Sequence, residues 1–363
     1  MSSEVSADTP AFYPVPGEHA TGGELAEHVA ADLLEDSAAG EWVDDVLPGC
    51  SRQTIPLDDD SEGGVCATLV RLDQKPQADP AAVPEAPVLQ IHGWTDYFYN
   101  LPMAHRWAES GHRFYALELR KYGRSLRAHQ TPGFIEDLRE YDEEISAALK
   151  ILREENPEAP APIIHAHSTG GLVAALWAQR HPGRAGALVL NSPWLEVPGD
   201  VPARAAVDGL VSPLSHVKPT ATVKVPRLEN YWESLSAEAY GEWQLHPVWR
   251  PRKSFPMTVG WLRAVTSGHK QVYEGLGLDL PVLVLLSSGT VYRRQWTKEY
   301  QENDGVLDVE LLARRAVRLG SQVTVVRVPK AMHDVFASAE PVRSHAFAQA
   351  QRWLSAYAPK KYS

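Results

Sequence analysis

Ser168 stands in the stretch Ile163-Ile164-His165-Ala166-His167-Ser168-Thr169-Gly170-Gly171. A β-branched run leads straight into the serine, and a helix-like stretch follows at once. A tight strand-to-helix turn of this kind lifts a hydroxyl above the sheet edge. Small residues must flank it because the backbone crowds itself there, and the helix start offers free N–H groups to a developing oxyanion. Ala166 and Gly170 are the small flanks, and Gly171 lets the helix begin close to the strand. The plain alternative is a serine that only caps the helix beginning at 169.

A nucleophilic serine needs a base, and the base needs a group to orient it. His333, in Pro329-Lys330-Ala331-Met332-His333-Asp334, follows the last strand candidate and is the expected base. The acid is expected after the preceding strand, where Asp304 and Asp308 both stand. Asp304 can turn with Gly305 toward the histidine, and Asp308 can instead cap the helix near 310. Spacing leaves both open. The oxyanion needs two backbone donors. The expected pair is the N–H of Thr169 and the N–H of Trp94, the latter in the loop His92-Gly93-Trp94-Thr95-Asp96. His165 and His167 read as core or supporting residues, and His92 and Arg120 as braces of the loops beside the site. No metal-ligand spacing and no G-x-G-x-x-G run is present, so no metal and no cofactor is expected.

These groups must be carried by strand ends. Short apolar runs at 87–91, 113–119, 161–167, 186–192, 281–288 and 322–329 predict strands. They alternate with predicted helices over 134–153, 168–181, 310–319 and 341–356, the pattern of an α/β protein with a mostly parallel central sheet flanked by helices. Residues 193–275 break the rhythm and hold five of the eleven tryptophans: Trp194, Trp232, Trp243, Trp249 and Trp261. A structureless loop of that length is improbable, so an inserted cap is expected. Trp194, Trp232, Trp243 and Trp249 are its candidate substrate-binding residues. The predicted organisation is an N-terminal extension (1–60), a first core part (61–192), the cap (193–275) and a second core part (276–363). A short helix is expected around Gly23–Leu34.

The chain has 363 residues, 44% hydrophobic and 22% charged, with a net charge of −11. An acidic surface opposes nucleic-acid binding. No apolar run reaches the roughly 18 residues of a membrane span. The start, MSSEVSADTPAFYPVPGEH, lacks a secretory pattern. The two cysteines, Cys50 and Cys66, make neither a disulfide scaffold nor a zinc site. A cytoplasmic location is the default expectation, and a homo-oligomer is compatible with the sequence.

In order along the chain, these motifs resemble the α/β-hydrolase superfamily, in the branch of monoacylglycerol lipases, lysophospholipases and serine aminopeptidase-like (S33) proteins. The resemblance runs from about residue 85 to the end. His92-Gly93 matches the family's His-Gly pair. Glu118-Leu119-Arg120-Lys121-Tyr122-Gly123-Arg124-Ser125 matches its Asp-x-Arg-Gly-x-Gly-x-Ser pattern, with Lys121 where glycine is usual. Ala166-His167-Ser168-Thr169-Gly170 matches Gly-His-Ser-x-Gly. The family's acid maps to Asp304, ahead of Val306, and its base to His333. The resemblance implies a serine hydrolase, and the aromatic insert points to a small-molecule carboxylic ester with an apolar acyl or alcohol group. Two alternatives stand beside it. One is an aminopeptidase or amidase, with Glu196, Asp208, Glu229 or Glu233 seating an ammonium. The other is a non-catalytic binding protein of the same fold.

Overall fold

The computed structural model describes residues 36–76, 85–197, 217–223, 229–357 and 359. The expected helix at Gly23–Leu34 and Asp208 lie outside the described residues. Among those residues, nine strands form one sheet: β1 (Val43–Asp44), β2 (Cys50–Pro56), β3 (Cys66–Leu72), β4 (Val88–Ile91), β5 (Phe114–Glu118), β6 (Ile163–His167), β7 (Ala187–Asn191), β8 (Val282–Ser287) and β9 (Val323–Val328). Their spatial order is β1-β2-β3-β5-β4-β6-β7-β8-β9. The first three pairings are antiparallel and the other five parallel. β4, β6, β7 and β8 are buried along their whole length, as expected of parallel strands covered on both faces. Order reverses around β4, between β5 and β6, so the loops after β4 and β6 open side by side at one crevice, where open α/β sheets bind ligands.

Strand positions agree with the sequence pattern to within two residues. The helix expected over 134–153 starts later. Gly133 takes a left-handed turn (φ 67°), and Asp137 and Glu140 form a reciprocal capping box on a short 3-10 turn, Leu138–Tyr141. The α-helix proper, here α2, is Asp142–Glu155, preceded in the chain by α1 (Leu101–Glu109), which the sequence reading did not anticipate. Asn100 caps α1 by accepting the N–H of Met103 at 3.1 Å. Residues 43–56, placed in the extension by the sequence, pair into the sheet: β2 joins β3 from Cys50↔Leu72 to Pro56↔Cys66.

After β6 comes α3 (Thr169–Arg180), and the β7–β8 segment holds α4 (Glu229–Leu235) and α5 (Val259–Glu274). α6 (Val309–Ala316) and α7 (Glu340–Tyr357) complete the set. α3 is rich in Ala and Gly and is buried almost all round. α5 lies directly on it: a Cβ on Gly268 would stand 2.9 Å from Leu176 Cδ1 and 3.1 Å from Leu138 Cδ1. Trp261, Val265 and Val272 of α5 therefore belong to the same apolar core as Leu172 and Leu176. No helix among the described residues is long and apolar enough to cross a membrane.

Candidate active site

β6 delivers Ser168 into a conformation that serine rarely adopts, φ 51° and ψ −118°. Backbone bonds hold it there. Ser168 N–H donates to Asn191 O at 3.0 Å, and Ser168 O accepts from Trp194 N–H and Gly171 N–H, each at 2.9 Å. The turn leaves no room for side chains beside it. A Cβ on Gly170 would lie 2.2 Å from His92 O, and one on Gly171 would lie 2.6 Å from Pro193 Cβ. Gly93 is tight but less so, with a hypothetical Cβ 3.1 Å from Ser168 Cβ and 3.0 Å from His167 Cδ2. The loop that holds Trp94 thus touches the serine turn, and both expected oxyanion donors, Trp94 and Thr169, are next neighbours of residues in that contact.

His333 Nε2 is 3.0 Å from Ser168 Oγ, and its Nδ1 is 2.8 Å from Asp304 Oδ2. Since Nδ1–H donates to the carboxylate, Nε2 is left as the acceptor facing the hydroxyl. Asp304 Oδ1 accepts the N–H groups of Val306 and Leu307, each at 2.8 Å, which fixes the carboxylate plane. Exposure is 8% for Ser168, 2% for His333 and 0% for Asp304, so water cannot replace these partners. Asp308, the other candidate acid, caps α6 by accepting from Glu310 N–H and Leu311 N–H. The structure brings Asp304 to the histidine and turns Asp308 to a helix end.

The supporting histidines are neutral in character. His92 Nδ1–H donates to Gly93 O at 2.8 Å and Nε2 accepts Leu119 N–H at 3.1 Å, and burial lowers its pKa. His165 accepts the Trp107 indole N–H, and burial brings it down to about 4. His167 stacks obliquely on His333 with ring centroids 4.9 Å apart, and burial lowers its pKa too. Asp334 is the neighbour that sequence reasoning missed. Burial pushes its carboxyl up, but His167, the Asn191 amide and Arg250 outweigh this and hold it below the usual range. It ties β7 to the histidine loop, accepting from Asn191 Nδ2 at 2.7 Å and capping the short turn Val335–Ala337. Among the described residues, no group of three or more His, Cys, Asp or Glu side chains is placed to hold a metal ion.

The β7–β8 segment covers this constellation. Tyr231 sets its ring edge against His333 (centroids 5.5 Å) and accepts Asp334 N–H at 3.2 Å. Trp194 follows β7 and meets Trp261 at 5.7 Å, and Trp261 meets Trp94 at 3.9 Å. Trp232 is half-buried and donates its indole N–H to Arg250 O. Trp243 and Trp249 are buried in the seam beneath, Trp243 donating to Ala337 O at 2.7 Å and Trp249 stacked on His246 at 4.0 Å. Of the four tryptophans picked from the sequence, Trp194 is the one joined directly to Ser168. Trp94 is half-buried like Trp194, and Trp261 is fully buried between them.

A family model described as serine aminopeptidase, S33, matches residues 82–340, well over half of the chain. The chain belongs to the S33 family. Its fold is that of the α/β-hydrolases, shared with a monoglyceride lipase from Saccharomyces cerevisiae (TM-score 0.58, 13% identity, 84% of this chain and 96% of that one). A carboxyl esterase from Bacillus coagulans is similar to the same degree (TM-score 0.58, 15% identity, 84% and 98%). A monoacylglycerol lipase from Paleococcus ferrophilus follows (TM-score 0.55, 18% identity, 76% and 97%). No curated protein sequence matches the chain.

Where this S33 chain departs from the usual motifs, local chemistry accounts for it. Lys121, in the place of a glycine, adopts φ 64°, and its fully buried ammonium sits between Asp60 (2.5 Å) and Glu62 (2.6 Å). It thereby locks the β2–β3 turn onto the loop after β5. Gly123 (φ 48°) remains obligatory, because a Cβ there would lie 2.2 Å from Glu118 Oε2. Glu118 in turn accepts Phe98 N–H at 2.9 Å and pairs with Arg124, which also grips Asp45 at 2.7 and 2.8 Å. Arg120 braces the same loop through Glu143 and Glu144.

Proposed function

We propose that this protein is a serine hydrolase that cleaves carboxylic esters through an acyl-enzyme. The observation that carries the reading is the continuous hydrogen-bonded path from Asp304 through His333 to Ser168, with the serine held at a strained turn. In the proposed reaction His333 Nε2 takes the Ser168 proton as Oγ attacks the ester carbonyl. The N–H groups of Trp94 and Thr169 take the oxyanion, each worth about 3 kcal/mol if lost. His333 then returns the proton to the departing alcohol, and water attacks the acyl-serine by the same route. Asp304 keeps Nδ1 protonated and stabilises the imidazolium. Neither a metal nor a cofactor takes part in these steps.

The half-buried Trp94 and Trp194, backed by the core residue Trp261, favour an apolar acyl or alcohol group on a small ester. The aminopeptidase alternative needs a free carboxylate to seat an ammonium. Glu196 is instead paired with Arg315, and Glu233 with Arg252. These pairings take two of the four candidate carboxylates out of that role and so favour the ester.

The test is a panel of p-nitrophenyl esters from acetate to palmitate, a monoacylglycerol and aminoacyl-p-nitroanilides, with wild type and Ser168→Ala. Ester turnover and fluorophosphonate labelling that both vanish in Ser168→Ala are expected. Turnover of anilides alone moves the assignment to an aminopeptidase. Silence on every substrate, with no labelling, leaves a binding protein.

A further inference from the structure

The loop that presents Trp94 is not held by its own residues alone. Thr95 sits at φ 51°, a left-handed conformation that costs a β-branched residue about 1–3 kcal/mol and persists only where surroundings over-determine it. Those surroundings are residues 246–255 of the β7–β8 segment. Thr95 Oγ1 accepts Phe255 N–H at 3.0 Å and shares a 2.7 Å hydrogen bond with Ser254 Oγ. Ser254 is itself left-handed (φ 61°). Tyr97 OH accepts His246 N–H at 2.9 Å. Between these bonds lies an ion pair, Arg250 Nη1 on Asp96 Oδ1, with the two residues 6% and 4% exposed. The other carboxylate oxygen, Asp96 Oδ2, accepts Gly93 N–H at 3.3 Å.

A buried ion pair is weak evidence for stability, since desolvation offsets most of its attraction. What Arg250 does supply is direction. By holding one oxygen of Asp96 it aims the other at the N–H of Gly93, in the His92–Gly93 peptide next to the one that carries the Trp94 N–H. An apolar pair of the same volume would fill the space without orienting that peptide. The Arg250 guanidinium is in turn held over the rings of Tyr99 (5.4 Å) and Tyr231 (5.8 Å), the second of which lies against His333.

We infer that Arg250 is a positioning residue for the oxyanion site: acting through Asp96, with Ser254 and Phe255 acting through Thr95, it sets the direction of the Trp94 N–H. The inference rests on the serine-hydrolase reading above. It adds that residues 246–255, remote in sequence from every catalytic group, form the half of the site that makes the β4 loop competent.

The test uses the full chain with Arg250→Lys, which keeps the buried charge but loses the planar fork, and Ser254→Ala, which removes one bond on the Thr95 side. Lys121→Met, which breaks a buried ion pair outside this seam, reports destabilisation alone. Steady-state kinetics on p-nitrophenyl butyrate, the pH profile of kcat/KM, and thermal melts are measured for each. Losing one oxyanion donor outright costs about 10²–10³ in kcat, so a misaimed donor is expected to cost about 10–100-fold in Arg250→Lys and less in Ser254→Ala. KM should stay within about twofold and the acid limb of the pH profile should not move, because a group acting only in the transition state lowers kcat and kcat/KM together. Undiminished kcat in both variants overturns the inference. So does a rise in KM at constant kcat, which would put Arg250 on the substrate, or an equal kcat loss in Lys121→Met. A wild type that neither turns over esters nor labels refutes the hydrolase reading itself, and this inference with it.

Discussion

Replacing Asp304 with asparagine and Asp308 with alanine separates the two carboxylates by mechanism. In Asp304→Asn the side-chain oxygen keeps its place at Oδ1, where Val306 and Leu307 donate at 2.8 Å. The amide nitrogen then faces His333 Nδ1. Two donors cannot face each other at 2.8 Å, so the imidazole adopts the tautomer with the proton on Nε2. That nitrogen can no longer accept from Ser168 Oγ, 3.0 Å away. With Asp304 fully buried, water cannot restore the lost charge. A wrong tautomer at such a site costs about 10⁴ in kcat, or about 5.5 kcal/mol of barrier. The two backbone bonds survive, so the melting temperature should move little. Asp308→Ala should do the reverse: loss of the α6 cap costs about 1 kcal/mol of stability with kcat unchanged. Saturation kinetics on p-nitrophenyl butyrate and a thermal melt decide it. If Asp304→Asn keeps more than about a tenth of wild-type kcat, the tautomer argument is refuted.

Glycine spacing around Ser168 makes a second, graded prediction. Gly170→Ala puts a methyl 2.2 Å from His92 O, a backbone atom that cannot yield, and should abolish folding to an active state, read by circular dichroism and activity. Gly93→Ala meets side-chain atoms at 3.0–3.1 Å, and should fold while losing kcat by about 10-fold or more through displacement of the Trp94 peptide. Stability should fall in mild acid through buried histidines. His165, His246 and His269 are held by burial at about 4, against 6.5 when free. The unfolded chain binds the extra protons, so stability is complete about one pH unit above 6.5 and is lost as pH drops through 6.5 toward 4. Between pH 7.5 and 5.5 the three together should cost about 4 kcal/mol, and a flat urea midpoint over that range would contradict the assignment. Lys121→Met leaves Asp60 and Glu62 without their shared cation, and a loss of about 3 kcal/mol in urea unfolding is expected.

Legibility in the sequence followed locality. The run Ile163–Gly171 announced the serine turn because strand, serine and helix start are contiguous, and each demands its own residue type. His333 stood out because it follows a strand end. Asp304 and Asp308 could not be separated by spacing, since both offer a carboxylate in one short loop. The choice lies in hydrogen bonds to Val306, Leu307 and the histidine, which depend on the fold. β2 was missed because CSRQTIP has no clean alternation: Cys50 is buried, Ser51 and Arg52 are partly open, Gln53, Thr54 and Ile55 are buried in a row, and Pro56 is exposed. Pairs such as Arg250 with Asp96, or Lys121 with Glu62, join distant segments through single side chains and leave no periodic trace. The prediction that tryptophans of the insert face substrate mixed two environments. Trp194 adjoins the serine, whereas Trp249 is sealed under His246 and Tyr97.

Ser168 holds dihedral angles that glycine would occupy without strain. The backbone bonds to Asn191, Trp194 and Gly171 oblige the serine to stay there. Two inactive proteins made by removing its hydroxyl should therefore differ. Alanine inherits the misfit of its own Cβ, whereas glycine is released from it, a relief of about 1 kcal/mol or more. On this reasoning the proposed nucleophile is a point where reactivity and durability oppose each other. The chain that melts highest is one that can no longer react.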